Sequence, residues 1–395
     1  MDKFVTSIKK CTRSCAIFFH NCNKRDGFKA LIAAIISILI GLFCGFIVML
    51  CAAPQYAGAG LWALLTSAFT DSSLLTLDIA LYSAIPMMLS GLAIAFAFKL
   101  KLFNIGITGQ VTIGAFTSII AGLGGANWFV CMLVGALSGA AAGFIPGFLK
   151  AKFNVSEVLS GIMLNWILYY MIGLMGSLVV PSEFRMTTTP TELKTLPEAA
   201  RMPSLGIPGI ESVSVGIIVA IVIIAIIWVV LNKTTFGFEL TMTGRNTEAS
   251  KYAGVNQTKS TILALTISGA LAGICGYMLY SDPVMPSRFT WDSSGNTLLA
   301  DGFNGISVSL IAQNSPIGCF FSSLLLTFMD AAENNIKVVS NSVYNNYYTD
   351  LIKNVVIYVA AFSSFFIMLL TKLNEKNENL EYFHREAKQL AKKEG

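Results

Sequence analysis

Charge is scarce in this sequence, at 12% of 395 residues, against roughly 25% in an ordinary soluble domain. With 54% of the residues hydrophobic, a water-soluble globule is excluded. Histidine is nearly absent, and His20 and His384 both stand in polar terminal segments, which rules out histidine chemistry inside a membrane. No Gly-Lys dipeptide occurs, so the chain lacks the loop in which backbone amides and a lysine cradle nucleotide phosphates. Carboxylates are missing from the middles of the apolar runs: Asp78, Glu157, Asp301, Asp330 and Glu333 all fall at run ends. A proton-coupled carrier needs them near mid-membrane, where their cost marks function. The energy for any transport is therefore expected from another polypeptide.

What remains is apolar runs separated by short charged clusters. Uncharged stretches cover residues 30–70, 79–98, 102–149, 158–182, 212–232, 260–281, 302–329 and 354–371. Two need dividing, one at a Gly/Asn break over residues 122–127 and one at Gln313-Asn314-Ser315-Pro316. That makes about ten spans of the roughly 20 residues a bilayer core requires. Backbone amides cannot stay unpaired in lipid, and a closed barrel would show alternation rather than solid runs, so the spans are helices. The fold class is all-α, a polytopic bundle with some discontinuous helices.

Cytoplasmic loops retain Lys and Arg. Threading ten spans from an inside N-terminus puts the N-terminal cluster, Lys99, Lys101, Lys150, Lys152, Lys233, Arg245, Lys251, Lys259 and the basic tail on one side. Both termini are thus expected in the cytoplasm. The organisation reads as a basic N-terminal segment (1–29), a transmembrane domain (30–372) and a charged tail (373–395), with an inside loop at 233–259 and an outward loop at 181–212. The first run is longer than a signal-peptide core and lacks a cleavage site soon after it, so it stays as the first helix. Scattered positive charges imply contact with membrane lipid and no nucleic-acid partner.

Of eight cysteines, Cys44, Cys51, Cys131, Cys275 and Cys319 lie in or beside apolar runs, where they act as small hydrophobes. Cys11, Cys15, His20 and Cys22 do not have the spacing of a zinc motif, so no metal is expected.

The 233–259 loop has the composition of a docked element. Thr247 is expected to cap a short helix with Glu248 in its first turn, where negative charge suits the macrodipole, and Gly254 is expected to end it. Ala249, Tyr252 and Ala253 are then available for a groove on a partner.

The run Thr247-Glu248-Ala249-Ser250-Lys251-Tyr252-Ala253-Gly254-Val255 resembles the coupling segment of bacterial ABC importer permeases of the branched-chain amino acid, ribose and nucleoside group. Ser268-Gly269-Ala270-Leu271-Ala272-Gly273 is similar to that group's small-residue helix after the coupling loop. Gly91-Leu92-Ala93-Ile94-Ala95-Phe96-Ala97-Phe98, then Leu102-Phe103-Asn104-Ile105-Gly106-Ile107-Thr108-Gly109-Gln110, resembles its nucleoside and simple-sugar branch, as do Asp301-Gly302-Phe303-Asn304-Gly305-Ile306 and Asn314-Ser315-Pro316-Ile317-Gly318. The resemblance implies a multi-pass bacterial plasma-membrane permease that binds no cofactor itself. It implies ATP-Mg on partner ATPase subunits, a second related permease forming a heterodimer, and an extracytoplasmic substrate-binding lipoprotein. ATPase coupling falls to Glu248, Ala249, Tyr252, Ala253 and Gly254. A permease for ribose or a branched-chain amino acid, or a carrier or channel working alone, is the alternative.

Interrupted helices expose polar backbone, which is tolerable only around a cavity. A Phe-Asn pair beside glycine occurs at Phe103-Asn104 and at Phe303-Asn304. Nucleosides offer a flat base and hydroxyls, suited to aromatic faces with amides. Phe103, Asn104, Gln110, Asn165, Trp166, Phe303 and Asn304 are the expected pathway residues, although Asn and Gln also serve as glue between helices. Gly135, Gly139, Gly143 and Gly147, with Gly269 and Gly273, read as close helix packing. The 181–212 loop is the expected docking surface for a substrate-binding protein.

Overall fold

The computed structural model describes residues 26–70, 74–284, 286–291, 299, 301–340, 344, 346–362, 365–369 and 371–372. Most of the basic N-terminal segment, with Cys11, Cys15, His20 and Cys22, lies outside the described residues, as does the 373–395 tail. Among the described residues there are α-helices, two single 3-10 turns and isolated bridges, with no β-strand. The helices are α1 (Asp26–Ala52), α2 (Pro54–Thr70), α3 (Leu75–Phe98), α4 (Ile107–Leu123), α5 (Trp128–Phe153), α6 (Glu157–Leu178), α7 (Gly216–Lys233), α8 (Thr235–Arg245), α9 (Thr247–Tyr252), α10 (Gln257–Met278), α11 (Asp301–Ile311), α12 (Pro316–Ala331), α13 (Glu333–Val339) and α14 (Asn346–Ala361).

Six of these have the length and apolarity to cross a membrane: α1 from Ile32, α3, α5, α6, α7 and α10. The pair Asp301–Ile311 and Pro316–Val339, bent by 117°, makes a seventh if taken as one span. Ten, the number expected from the eight uncharged stretches and their two breaks, is not reached by length alone. The helices α2, α4, α12 and α14 have 17, 17, 16 and 16 residues, short of the roughly 20 that a straight crossing takes. The run 30–70 divides at Ala53, where Pro54 opens α2.

Polar side chains mark the helix starts. Asn127, Ser156, Thr234, Asn256 and Ser315 each accept a backbone N–H of the first turn of α5, α6, α8, α10 and α12, satisfying donors that the helix itself leaves open. The expected breaks at 122–127 and at 313–316 are both present, and Asn127 and Ser315 are the residues that make them.

Packing divides the chain into two units, residues 1–48 with 351–395, and residues 49–350. In the first, α1 and α14 meet without spacers: a methyl group at Gly41 would lie 2.6 Å from Val356 Cα. In the second, α3 is the most enclosed span, with 78% of its apolar window buried. Around it lie α10, α11 and α12, with α7 alongside.

The α5–α10 seam is built from the glycine stripe. A methyl at Gly135 would sit 2.9 Å from the Gly273 carbonyl oxygen, and one at Gly143 would sit 3.0 Å from Gly269 Cα. Gly139 abuts Gly269 and Gly273 in the same way. Backbones this close gain dispersion and weak C–H···O contacts that lipid cannot replace.

Candidate functional site

The segment after α7 is a compact hook. Thr234 caps α8, and two glycines let α8 lie flat: Gly237 against Val230 and Leu231, Gly244 against the Lys99 carbonyl with Leu100 Cα 3.0 Å from where a methyl would stand. The hook thereby touches the turn that joins α3 to α4. Burial pulls the Lys99 ammonium there below the ordinary lysine value because the charged form loses water.

Asn246, rather than Thr247, caps α9: its Oδ1 accepts the Ala249 N–H at 3.1 Å. Thr247 has entered the helix, and its hydroxyl donates to the Thr243 carbonyl at 3.4 Å. Glu248 does occupy the first turn, and Gly254 follows the helix at φ +80°, a left-handed conformation that glycine adopts without penalty. From α10, the Gln257 amide donates to the Thr247 carbonyl and to the buried Ser250 hydroxyl, the latter at 3.0 Å. Glu248, Ala249, Tyr252, Ala253 and Gly254 are all exposed, and Tyr252 stands 92% exposed.

The expected pathway residues separate into three places. Asn104, Gln110 and Asn165 are buried and spend their amides on the protein. Asn104 Nδ2 donates to Gln110 Oε1 at 2.8 Å and to Ser268 Oγ at 2.9 Å, and Gln110 Nε2 returns a bond to Asn104 Oδ1 at 3.2 Å. Ser268 in turn donates to the Ala93 carbonyl at 2.7 Å. Asn165 accepts the Gly109 N–H at 2.9 Å and donates to the Ile105 carbonyl at 3.0 Å. These bonds stitch the 99–106 turn to α3, α4, α6 and α10.

Phe103 meets Phe98 edge-on at 5.6 Å beside that network. Trp166 points elsewhere: it is 51% exposed and stacks on Tyr170 at 6.3 Å along an apolar face of α6. Phe303, 42% exposed, and the half-buried Asn304 belong to α11. There Gly302 backs onto Thr108, with 2.6 Å between a hypothetical methyl and Thr108 Cα, and Gly305 backs onto Ser90. The Thr108 hydroxyl is buried in this seam with no partner among the described residues, an arrangement that costs free energy. Ser268 lies inside a segment whose sequence points to small-residue packing and nothing there singles out Thr108, so the roles of both hydroxyls are legible only from their neighbours in the fold.

The 181–212 loop is tied down. Arg185 donates to the Val180 carbonyl at 2.6 Å and lies over the Trp291 ring at 5.9 Å. Arg201 Nε donates to the Leu196 carbonyl at 2.7 Å. Asp78, at the start of α3, accepts the Ser212 and Val213 N–H groups, each at 3.0 Å. Glu157 pairs with Lys150 at 3.1 Å and Glu333 with Lys337 at 2.7 Å, so these carboxylates are helix-end groups.

Residues 76–361 match the family model described as branched-chain amino acid transport system / permease component. The chain belongs to this family. The permease is 32% identical over 355 residues to the guanosine ABC transporter permease protein NupP of Bacillus subtilis, covering 88% of this chain and 98% of that one. It is 30% identical over 321 residues to the nucleoside ABC transporter permease protein NupB of Lactococcus lactis, covering 76% and 83%. A second Bacillus subtilis protein, the guanosine ABC transporter permease protein NupQ, is 26% identical over 259 residues, 62% of this chain and 77% of its own. No solved structure matches. Family and apolar helices together make this permease a multi-pass protein of the bacterial plasma membrane, and its family is one of transport subunits rather than enzymes.

Proposed function

We propose that this permease is one of two related membrane subunits of an ATP-driven nucleoside importer. ATP is hydrolysed on a partner subunit, and a substrate-binding lipoprotein delivers the nucleoside from outside. The relatives that cover most of the chain carry nucleoside or guanosine in their names, and Bacillus subtilis has two such permeases among them, which favours a heterodimer. The observation that carries the reading is the α9 hook, a capped six-residue helix whose Tyr252, Glu248 and Ala253 stay exposed among the described residues. A tyrosine that exposed is what a partner's groove receives.

Motion of the hook has a physical route inward. Gly244 bears on the Lys99 carbonyl, and the turn beyond it is held to α4 and α10 by Asn104. We infer that ATP-driven displacement of α9 re-aims this turn and so changes how α4 and α11 meet at Thr108 and Gly302. In this reading Asn104, Gln110 and Asn165 position the pathway walls, whereas Phe303 and Asn304 face the passage. The ten-span threading with both termini at the hook's side belongs to the same proposal, and the tied-down 181–212 loop, with Glu183, Lys194, Glu198 and Glu211 exposed, is its lipoprotein platform.

The test is uptake by cells carrying the permease and its partners, with labelled guanosine, adenosine, ribose and leucine compared. The proposal expects nucleosides to be taken up and to compete with one another. Uptake of ribose or leucine alone overturns the substrate class.

A further inference from the structure

Two lysines share one cavity, and neither has a carboxylate partner among the described residues. The cavity, about 400 Å³, is lined by Lys152, Asn256, Thr258, Lys259, Ile262 and Leu263. It lies between the last turn of α5 and the first turn of α10. The nearby Lys150 is neutralised by Glu157 at 3.1 Å, so the cavity's positive charge comes from Lys152 and Lys259 alone. Asn256 and Thr258 add an amide and a hydroxyl to the same wall.

The other wall is hydrocarbon. Ile262 and Leu263 are half-buried, and the end of α5 carries Phe153, 67% exposed. Both flanking helices are among the six that cross by length and apolarity. Lys152 is the second-last residue of α5 and Lys259 the third of α10, which puts the cavity where a span leaves the hydrocarbon for the headgroup layer. Cationic clefts between spans at this depth suit anionic lipid headgroups. A small soluble anion would satisfy the ammonium groups and leave Ile262 and Leu263 facing water, whereas a phospholipid fills both halves.

We propose that this cavity is a site for one anionic phospholipid of the leaflet on the hook's side. Its phosphate lies between Lys152 and Lys259 within reach of Thr258, and an acyl chain lies along Ile262 and Leu263. Gln257, which holds α9, stands between Asn256 and Thr258 of the cavity wall, so the bound lipid braces the junction from which the hook is suspended. The assignment stands whichever solute the permease carries, because it needs only the spans and the cavity.

The full chain, purified in mild detergent, is titrated with phosphatidylglycerol and separately with phosphatidylcholine, and retained lipid is counted by native mass spectrometry. One phosphatidylglycerol is expected to bind in preference to phosphatidylcholine. Lys152→Gln and Lys259→Gln are each expected to weaken it about fivefold, and the double variant about 25-fold, while Lys194→Gln on the exposed 181–212 loop leaves it unchanged. Equal retention of phosphatidylcholine, or undiminished phosphatidylglycerol in the double variant, overturns the site. Displacement of the lipid by millimolar inorganic phosphate overturns the lipid assignment in favour of a free-anion site. Should the double variant fail to insert, the two single variants decide the matter on the same readout.

Discussion

The Gln257 amide reaches from the first turn of α10 to the hydroxyl of Ser250, 3.0 Å away inside the α9 hook. The same amide also donates to the Thr247 carbonyl, so one side chain fastens a six-residue helix too short to hold itself together in water. The hook is thereby a rigid extension of a membrane span.

Replacing that amide should loosen the hook without unfolding the bundle. In Gln257→Ala the backbone N–H groups of Ala253, Gly254 and Val255, which bond back to Ala249, Lys251 and Ser250, are expected to exchange hydrogen about tenfold faster. That corresponds to the loss of two partly exposed hydrogen bonds, to the Thr247 carbonyl and to the Ser250 hydroxyl. Hydrogen-exchange mass spectrometry checks it; unchanged protection over residues 247–255 would show the hook to be held otherwise.

The two glycines of the hook should respond differently. Gly254 has open space where a side chain would go and only its φ of +80° against it, so Gly254→Ala costs about 1 kcal/mol of local stability and Gly254→Asn less. Gly244 lies against the Lys99 carbonyl, so Gly244→Ala must push the hook off the 99–106 turn. Uptake assays at equal expression should find Gly254→Asn near normal and Gly244→Ala severely reduced. Equal uptake in the two would remove the Lys99 turn from the transmission route.

How much of this was legible in the sequence follows from where each partner lies. Stripes such as Gly135, Gly139 and Gly143 have a local period, so the close α5–α10 seam is readable before any partner is known. The Asn127 and Ser315 breaks are equally local. Pro54 divides the first apolar run without help from a charge, so a boundary drawn from charged residues alone passes over it. At the hook, Asn246 and Thr247 are both good caps, and the choice went to Asn246 because α8 delivers the chain with that residue extended at φ −151°. The Asn104–Ser268 bond joins residues 164 positions apart, and no spacing rule reports such a pair. Asn104 and Gln110 were readable as polar residues needing partners, whereas the partners themselves became visible only in the fold.

That amide pair sets up a mutant cycle. Asn104→Ala and Gln110→Ala should each destabilise the purified permease by about 1–3 kcal/mol, and the double variant by clearly less than the sum, because each single change already breaks the reciprocal bonds. Denaturation in detergent measures this. Additive losses would mean that the two side chains act independently.

The glycine seam gives the largest expected effect on assembly. Gly273→Val places a branched side chain against the Gly135 carbonyl and should abolish stable insertion, whereas Gly58→Val, with nothing within 4 Å, should be silent. Expression and thermal stability of the two variants compare them directly.

The central claim, that this chain shapes a path but borrows its motor through α9, meets its most direct test in vesicles loaded with or without ATP and containing the permease with its partner subunits. Labelled guanosine should accumulate only with ATP and should cease in Tyr252→Asp, whose change lies on an exposed ring and leaves the bundle intact. Accumulation by the permease alone under a proton or sodium gradient, or ATP-driven uptake undiminished in Tyr252→Asp, would contradict it.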